Sequence, residues 1–201
     1  MKRETVSNEL KKKRFRVTIF GSARIKRSSR EYKDVYNLAK LIGEKNIDLI
    51  TGGGPGVMKA ASAGHKAGSK DNGAYTIGLG IKIPREQKIN QYVDVKKNFK
   101  RFSERLDNFM LLSNVVIVTE GGVGTMLELF FTWQLLQVRH THNIPIVLIG
   151  KQWKGLIKWL KKGPLKKKFF KKEDLELLHL AKNSNEAIKM IDATYKEYKK
   201  K

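Results

Sequence analysis

A chain of 201 residues with 40% hydrophobic side chains can bury one α/β core, and its length gives no reason to expect a second. The absence of cysteine excludes disulfides, thiolate catalysis and cysteine-ligated metals. Forty-two Lys and Arg against 19 Asp and Glu leave a net charge of +23, a field that attracts phosphate-bearing partners.

The N-terminal stretch MKRETVSNELKKKRF has no apolar segment after its charges, so it does not read as a signal peptide. Runs such as VVIV and IPIVLI are too short to cross a bilayer. The expectation is a soluble, cytoplasmic protein without a membrane partner. Residues 1–15 read as a basic extension and 16–201 as a single domain.

In chain order, RVTIF (16–20) predicts a strand, followed by the loop GSARIKRSS (21–29). Val35, Leu38, Ala39 and Ile42 fall at i, i+3, i+4 and i+7, which predicts an amphipathic helix over 32–45. IDLIT (47–51) is a second strand broken by GGGPG (52–56), and 57–68 is a helix rich in small residues. AYTIGLGI (74–81) is the third strand and YVDV (92–95) a short one. A helix over 98–112 leads into the strand VVIVT, and 125–137 is helical again. IPIVLIG (144–150), a helix around WKGLIKWLKK, a strand near LELLHLAK and a helix over 184–199 complete the series. Short apolar strands alternating with helices predict a doubly wound parallel sheet covered on both faces.

Two glycine-rich loops stand at strand ends, where ligands of open α/β sheets bind. They are TGGGPG, with Gly52, Gly53, Gly54 and Gly56, and EGGVGT, with Gly121, Gly122, Val123, Gly124 and Thr125. Glycines let backbone N–H groups approach an anion, and the following helix start adds partial positive charge, so the expected ligand is a phosphate. Neither loop ends in Gly-Lys-Ser/Thr, so a P-loop is excluded. Val57 breaks the GxGxxG pattern as well.

Glu128 admits two readings. With Thr125 it fits a capping box, Thr125 at N-cap and Glu128 at N3. Beside a bound phosphosugar, it is a carboxylate able to stabilise a cationic sugar carbon or to deprotonate water. Upstream, Lys100, Arg101 and Arg105 are basic residues on the predicted helix. The four histidines show no ligand spacing, and neither a metal nor a cofactor is expected.

EGGVGTMLE (120–128) resembles the PGGxGTxxE signature of the LONELY GUY proteins, and the resemblance extends through FGSAR (20–24), TGGGPGVMKAAS (51–62), IGLGIKIPREQKINQYVD (77–94) and LLQ (135–137). It covers about residues 16–150 and implies a Rossmann-like fold, usually dimeric, that hydrolyses nucleoside 5′-monophosphates to free base and ribose 5-phosphate. It places the signature glutamate on Glu128 and the essential arginine on Arg105, with Ser22 and the two glycine loops around the phosphate. The chain departs from the pattern at Glu120, Leu106, Phe109, Asn114 and Gln134, and Glu120 adds a negative charge next to the presumed phosphate loop.

The expected substrate is therefore a cytokinin riboside monophosphate or an AMP-like nucleotide. Some relatives carry molybdenum cofactor, so a non-catalytic binder of a phosphate-bearing ligand remains as the alternative. A basic RNA-associated protein is the third reading. It is the less favoured because no helix-turn-helix, zinc-finger or RNP pattern accompanies the charge.

Overall fold

The computed structural model describes residues 11–70, 72–82 and 88–200. Most of the basic extension (1–10) and part of the family-like stretch 77–94 (83–87) lie outside the described residues.

Seven strands pair in parallel in the order β4-β3-β2-β1-β5-β6-β7. They are β1 (Arg16–Phe20), β2 (Asp48–Thr51), β3 (Thr76–Ile81), β4 (Val95–Phe99), β5 (Val115–Val118), β6 (Ile146–Ile149) and β7 (Leu178–Ala181). The helices are α1 (Arg30–Glu44), α2 (Val57–Ser69), α3 (Phe102–Leu112), α4 (Val123–Gln137), α5 (Lys151–Leu160), α6 (Lys172–Glu176) and α7 (Ser184–Tyr198). A π-helical turn, Lys161–Leu165, continues α5.

The single domain is Rossmann-like, and alternation along the strands builds its two cores. Val17, Ile19, Leu49 and Ile117 face α1, α2 and α7, whereas Phe20, Ile50, Val116 and Val118 face the layer that includes α3 to α6. From β1 the chain winds outward to β4, then returns to place β5 on the other side of β1. The order therefore reverses between β1 and β5, and a crevice opens at their carboxyl ends.

Small residues bring α1 and α2 into close contact. A Cβ on Gly64 would collide with the carbonyl of Tyr36, one on Gly68 with that of Lys40, and one on Gly43 with that of His65. These glycines fix how closely the two helices lie and thereby where the loop before α2 sits.

Two predicted strands are corrected. Strand β4 begins at Val95, not at Tyr92, because Asp94 is committed elsewhere: its carboxylate accepts the Thr76 N–H at 2.9 Å and pairs with Lys66 at 3.0 Å. That holds the preceding residues in a turn. Likewise 172–176 is helix α6, nucleated where the Asp174 carboxylate accepts the Lys171 N–H at 2.8 Å, and the strand starts only at Leu178.

Gly64→Ala is expected to push α1 and α2 apart and to lower unfolding stability by about 1–3 kcal/mol in denaturant titrations. The exposed Gly155→Ala change in α5, where a Cβ meets nothing, is expected to raise stability by about 0.5–1 kcal/mol.

Candidate active site

Three loops meet at the switch point, after β1, β2 and β5. Ser22 joins them through its backbone: its N–H donates to the Glu120 carbonyl at 3.1 Å, and its carbonyl accepts the Val57 N–H at 2.9 Å. Gly56, at φ +61°, allows this approach, since a Cβ there would strike Ser22 and Ala23. The loops enclose a cavity of about 460 Å³ lined by residues that include Ser22, Arg24, Gly52, Met58, Arg105 and Glu128.

Glu128 and Arg105 form an ion pair within this cavity, Nη1 to Oε1 3.3 Å, with side chains only 9% (Arg105) and 13% (Glu128) exposed. Arg105 is fixed from several sides. Its Nε donates to the Leu79 carbonyl at 2.7 Å, its guanidinium lies 5.0 Å from the Phe109 ring centroid, and Gly52 leaves room for Nη2. Burial pushes the Glu128 carboxyl up to about 7, outweighing the lowering by Arg105. Burial also pulls the Arg105 guanidinium below its ordinary value, opposed by Glu128. The result is a carboxyl poised to exchange a proton near neutrality, held in place by a buried cation.

The capping-box reading of Glu128 is corrected. Helix α4 starts at Val123 with Gly122 as N-cap, so Thr125 is itself at N3 and Glu128 lies in the second turn. Among the described residues no side chain caps the helix. The first-turn amides of Val123, Gly124 and Thr125 are therefore open at the cavity wall, with the helix dipole behind them. At Gly122 and Gly124 an added Cβ would meet nothing within 4 Å. Packing within the chain does not demand glycine at either place, and the missing side chains leave the neighbouring amides uncovered.

The other expected phosphate contacts separate. Gly52, Gly122, Val123, Gly124, Thr125 and Ser22 line the cavity, whereas Gly53, Gly54, Gly56 and Gly121 do not. The Gly53 N–H goes to Thr51 Oγ1 at 3.0 Å, and Asn90 Nδ2 donates to the Gly53 and Gly54 carbonyls at 3.0 and 3.2 Å. Gly121 is bridged by the Gln152 side chain, which accepts its N–H at 3.0 Å and donates to its carbonyl at 2.8 Å.

Glu120 is also relocated. Its carboxylate turns away from the cavity and accepts the Gln152 N–H at 2.9 Å at the start of α5, where a helix N-terminus favours an anion. Arg24 and Met58 line the cavity although neither was singled out from the sequence. The signal for Arg24 was its place at the end of FGSAR, and nothing in the pattern marked Met58.

The family model described as "Possible lysine decarboxylase" matches residues 58–191. No curated protein matches the sequence significantly. Among solved structures, the chain is similar to the molybdenum cofactor binding protein of the phototrophic bacterium Rippkaea orientalis. The identity is 21%, covering 89% of this chain and 94% of that one, with a TM-score of 0.64. It is also similar to the molybdenum cofactor carrier protein of Chlamydomonas reinhardtii, at 22% identity over 91% of this chain and 99% of that one, with a TM-score of 0.63. At these identities the two neighbours show the fold.

Gly124→Ala separates packing from binding. Helix propensity predicts a gain of about 0.5–1 kcal/mol in stability, while inorganic phosphate, followed by calorimetry or amide NMR shifts, is expected to bind more weakly than to the parent.

Proposed function

Because the chain belongs to the possible lysine decarboxylase family, we propose that it hydrolyses the N-glycosidic bond of a nucleoside 5′-monophosphate, as its resemblance to the LONELY GUY proteins implies. The observation that carries this reading is the buried Glu128–Arg105 pair facing a cavity with an uncapped helix start in its wall. The 5′-phosphate accepts from the open amides of Val123, Gly124 and Thr125, which brings the ribose over Glu128. The C1′–N bond breaks with its electron pair going to the base, through an oxocarbenium-like ribose that the Glu128 carboxylate stabilises. Glu128 then accepts a proton from the attacking water. The water's hydroxyl ends on C1′, and the proton taken by Glu128 passes to the base, which restores the carboxylate and gives free base and ribose 5-phosphate. Arg105 holds the carboxylate in position and balances charge as it ionises.

Decarboxylation of lysine does not fit the same cavity. Pyridoxal chemistry needs a lysine for the Schiff base, and the described residues lining the cavity include none.

The similarity to molybdenum cofactor proteins favours a second reading, a carrier whose open amides hold the phosphate of a pterin. It predicts a stoichiometric pterin in the purified protein, undiminished binding in Glu128→Gln and no turnover in the parent.

The proposal includes a homodimer. Apolar side chains surround α4, a pattern that belongs to a buried helix, yet Val123, Leu127 and Phe130 are exposed, as is Phe102 on α3. A second copy covering this face buries them beside the cavity that Val123 lines. Leu127→Asp is expected to shift the molar mass in light scattering from dimer to monomer.

Purified protein incubated with a panel of nucleoside 5′-monophosphates is expected to release ribose 5-phosphate from at least one, and Glu128→Gln to lower kcat by about 100-fold or more. With the parent, kcat/KM is expected to rise with pH through about 7 as Glu128 loses its proton. No release from any nucleotide, with a verified relative active in parallel, contradicts the proposal.

A further inference from the structure

The stretch from Lys151 to Lys172 takes no part in the cavity, and its chemistry is unlike the rest of the surface. It holds ten lysines and no arginine or carboxylate, and every one of the ten is exposed. Of these ten lysines, only Lys172 has an ion pair among the described residues, with Glu176 at 3.3 Å. In α5, Lys151, Lys154 and Lys158 recur at i, i+3 and i+7 and so share one stripe, which Lys161 and Lys162 extend into the π-helical turn. On the opposite side Trp153, Ile157 and Leu160 are buried in the core.

Two rings stand out among these charges. Trp159 is 61% exposed, and Phe169, just beyond the turn, is 75% exposed. Trp159 and Lys162 are three residues apart, which makes them surface neighbours as the helical turns continue. The remaining tryptophans, Trp133 and Trp153, are both buried. Ammonium groups crowded on one surface repel one another, and large rings left in water forgo burial. A partner carrying phosphates and flat apolar faces relieves both.

We propose that this surface binds single-stranded nucleic acid, the lysine stripe following the phosphates while Trp159 and Phe169 stack on unpaired bases. Stacking selects single strands, because a duplex already covers its base faces. An anionic membrane also attracts lysines set among aromatic rings, but surface insertion needs an apolar helix face. In α5 that face is buried against the sheet, and only isolated rings are left outside. The inference uses none of the cavity residues and stands or falls apart from the hydrolase reading.

The test uses the full chain with labelled oligo(U), an oligo(U)·oligo(A) duplex and vesicles of phosphatidylcholine with phosphatidylserine. Oligo(U) is expected to bind in preference to the duplex and to quench tryptophan fluorescence. Trp159→Ala is expected to weaken binding about tenfold. Changing Lys154, Lys158 and Lys161 to Gln is expected to lower the slope of log affinity against log salt by about 2, at roughly 0.7 per lost phosphate contact. The charge-matched change of the exposed Lys33, Lys59 and Lys96 to Gln is the control, and all variants carry exposed substitutions whose folding is checked by circular dichroism. Equal losses in the two triple variants, an unquenched Trp159, binding only to anionic vesicles, or no binding at low salt would each overturn the proposal.

Discussion

A carboxylate and a guanidinium removed from water together impose the constraint on which the rest of the site depends. Breaking a buried pair leaves an uncompensated charge that costs about 3–5 kcal/mol, so everything around Arg105 and Glu128 has to keep both in place. Leu79 offers a carbonyl, Phe109 a ring face and Gly52 a missing side chain. The fold supplies the geometry: α3 leads into β5 and α4 leads out of it, so the two charged residues arrive from helices on either side of one central strand. Burial that would be a liability in a structural ion pair becomes useful here, because it lifts the Glu128 carboxyl into the range where protons move at neutral pH.

The glycine loops divide their labour more sharply than composition suggests. TGGGPG serves mainly architecture, passing Arg105 at Gly52 and allowing the close approach of the β1 loop at Gly56. EGGVGT carries the open amides, and only its Gly122–Thr125 part faces the cavity. Glu120, the least expected residue of the signature region, answers a local demand: its carboxylate accepts the Gln152 N–H at the start of α5.

The layout of the fold was legible because strand and helix periods differ and the strands are continuous apolar runs. Strand β1 falls on 16–20 as its pattern predicted, and α1 and α7 lie within two residues of their predicted spans. What escaped was decided by individual side-chain hydrogen bonds that periodicity does not register. Asp94 delays β4 by binding the start of β3, and Asp174 caps α6, which takes the first two residues of the predicted strand. The same holds for the site. Motif spacing brought Glu128 and Arg105 into view, but neither their contact nor the separation of Gly53, Gly54, Gly56 and Gly121 from the cavity is encoded in spacing. Those depend on Leu79, Phe109 and Gly52 around Arg105, on Thr51 and Asn90 at Gly53 and Gly54, and on Gln152, which approaches Gly121 from a different crossover.

Whether Glu128 faces the sugar of a phosphate held at the start of α4 is decided by a crystal structure of the protein with ribose 5-phosphate. The phosphate is expected within hydrogen-bonding distance of the Val123, Gly124 and Thr125 amides, with C1 turned toward the Glu128 carboxylate. A phosphate seated elsewhere, or a sugar whose C1 lies out of reach of Glu128, would contradict that placement.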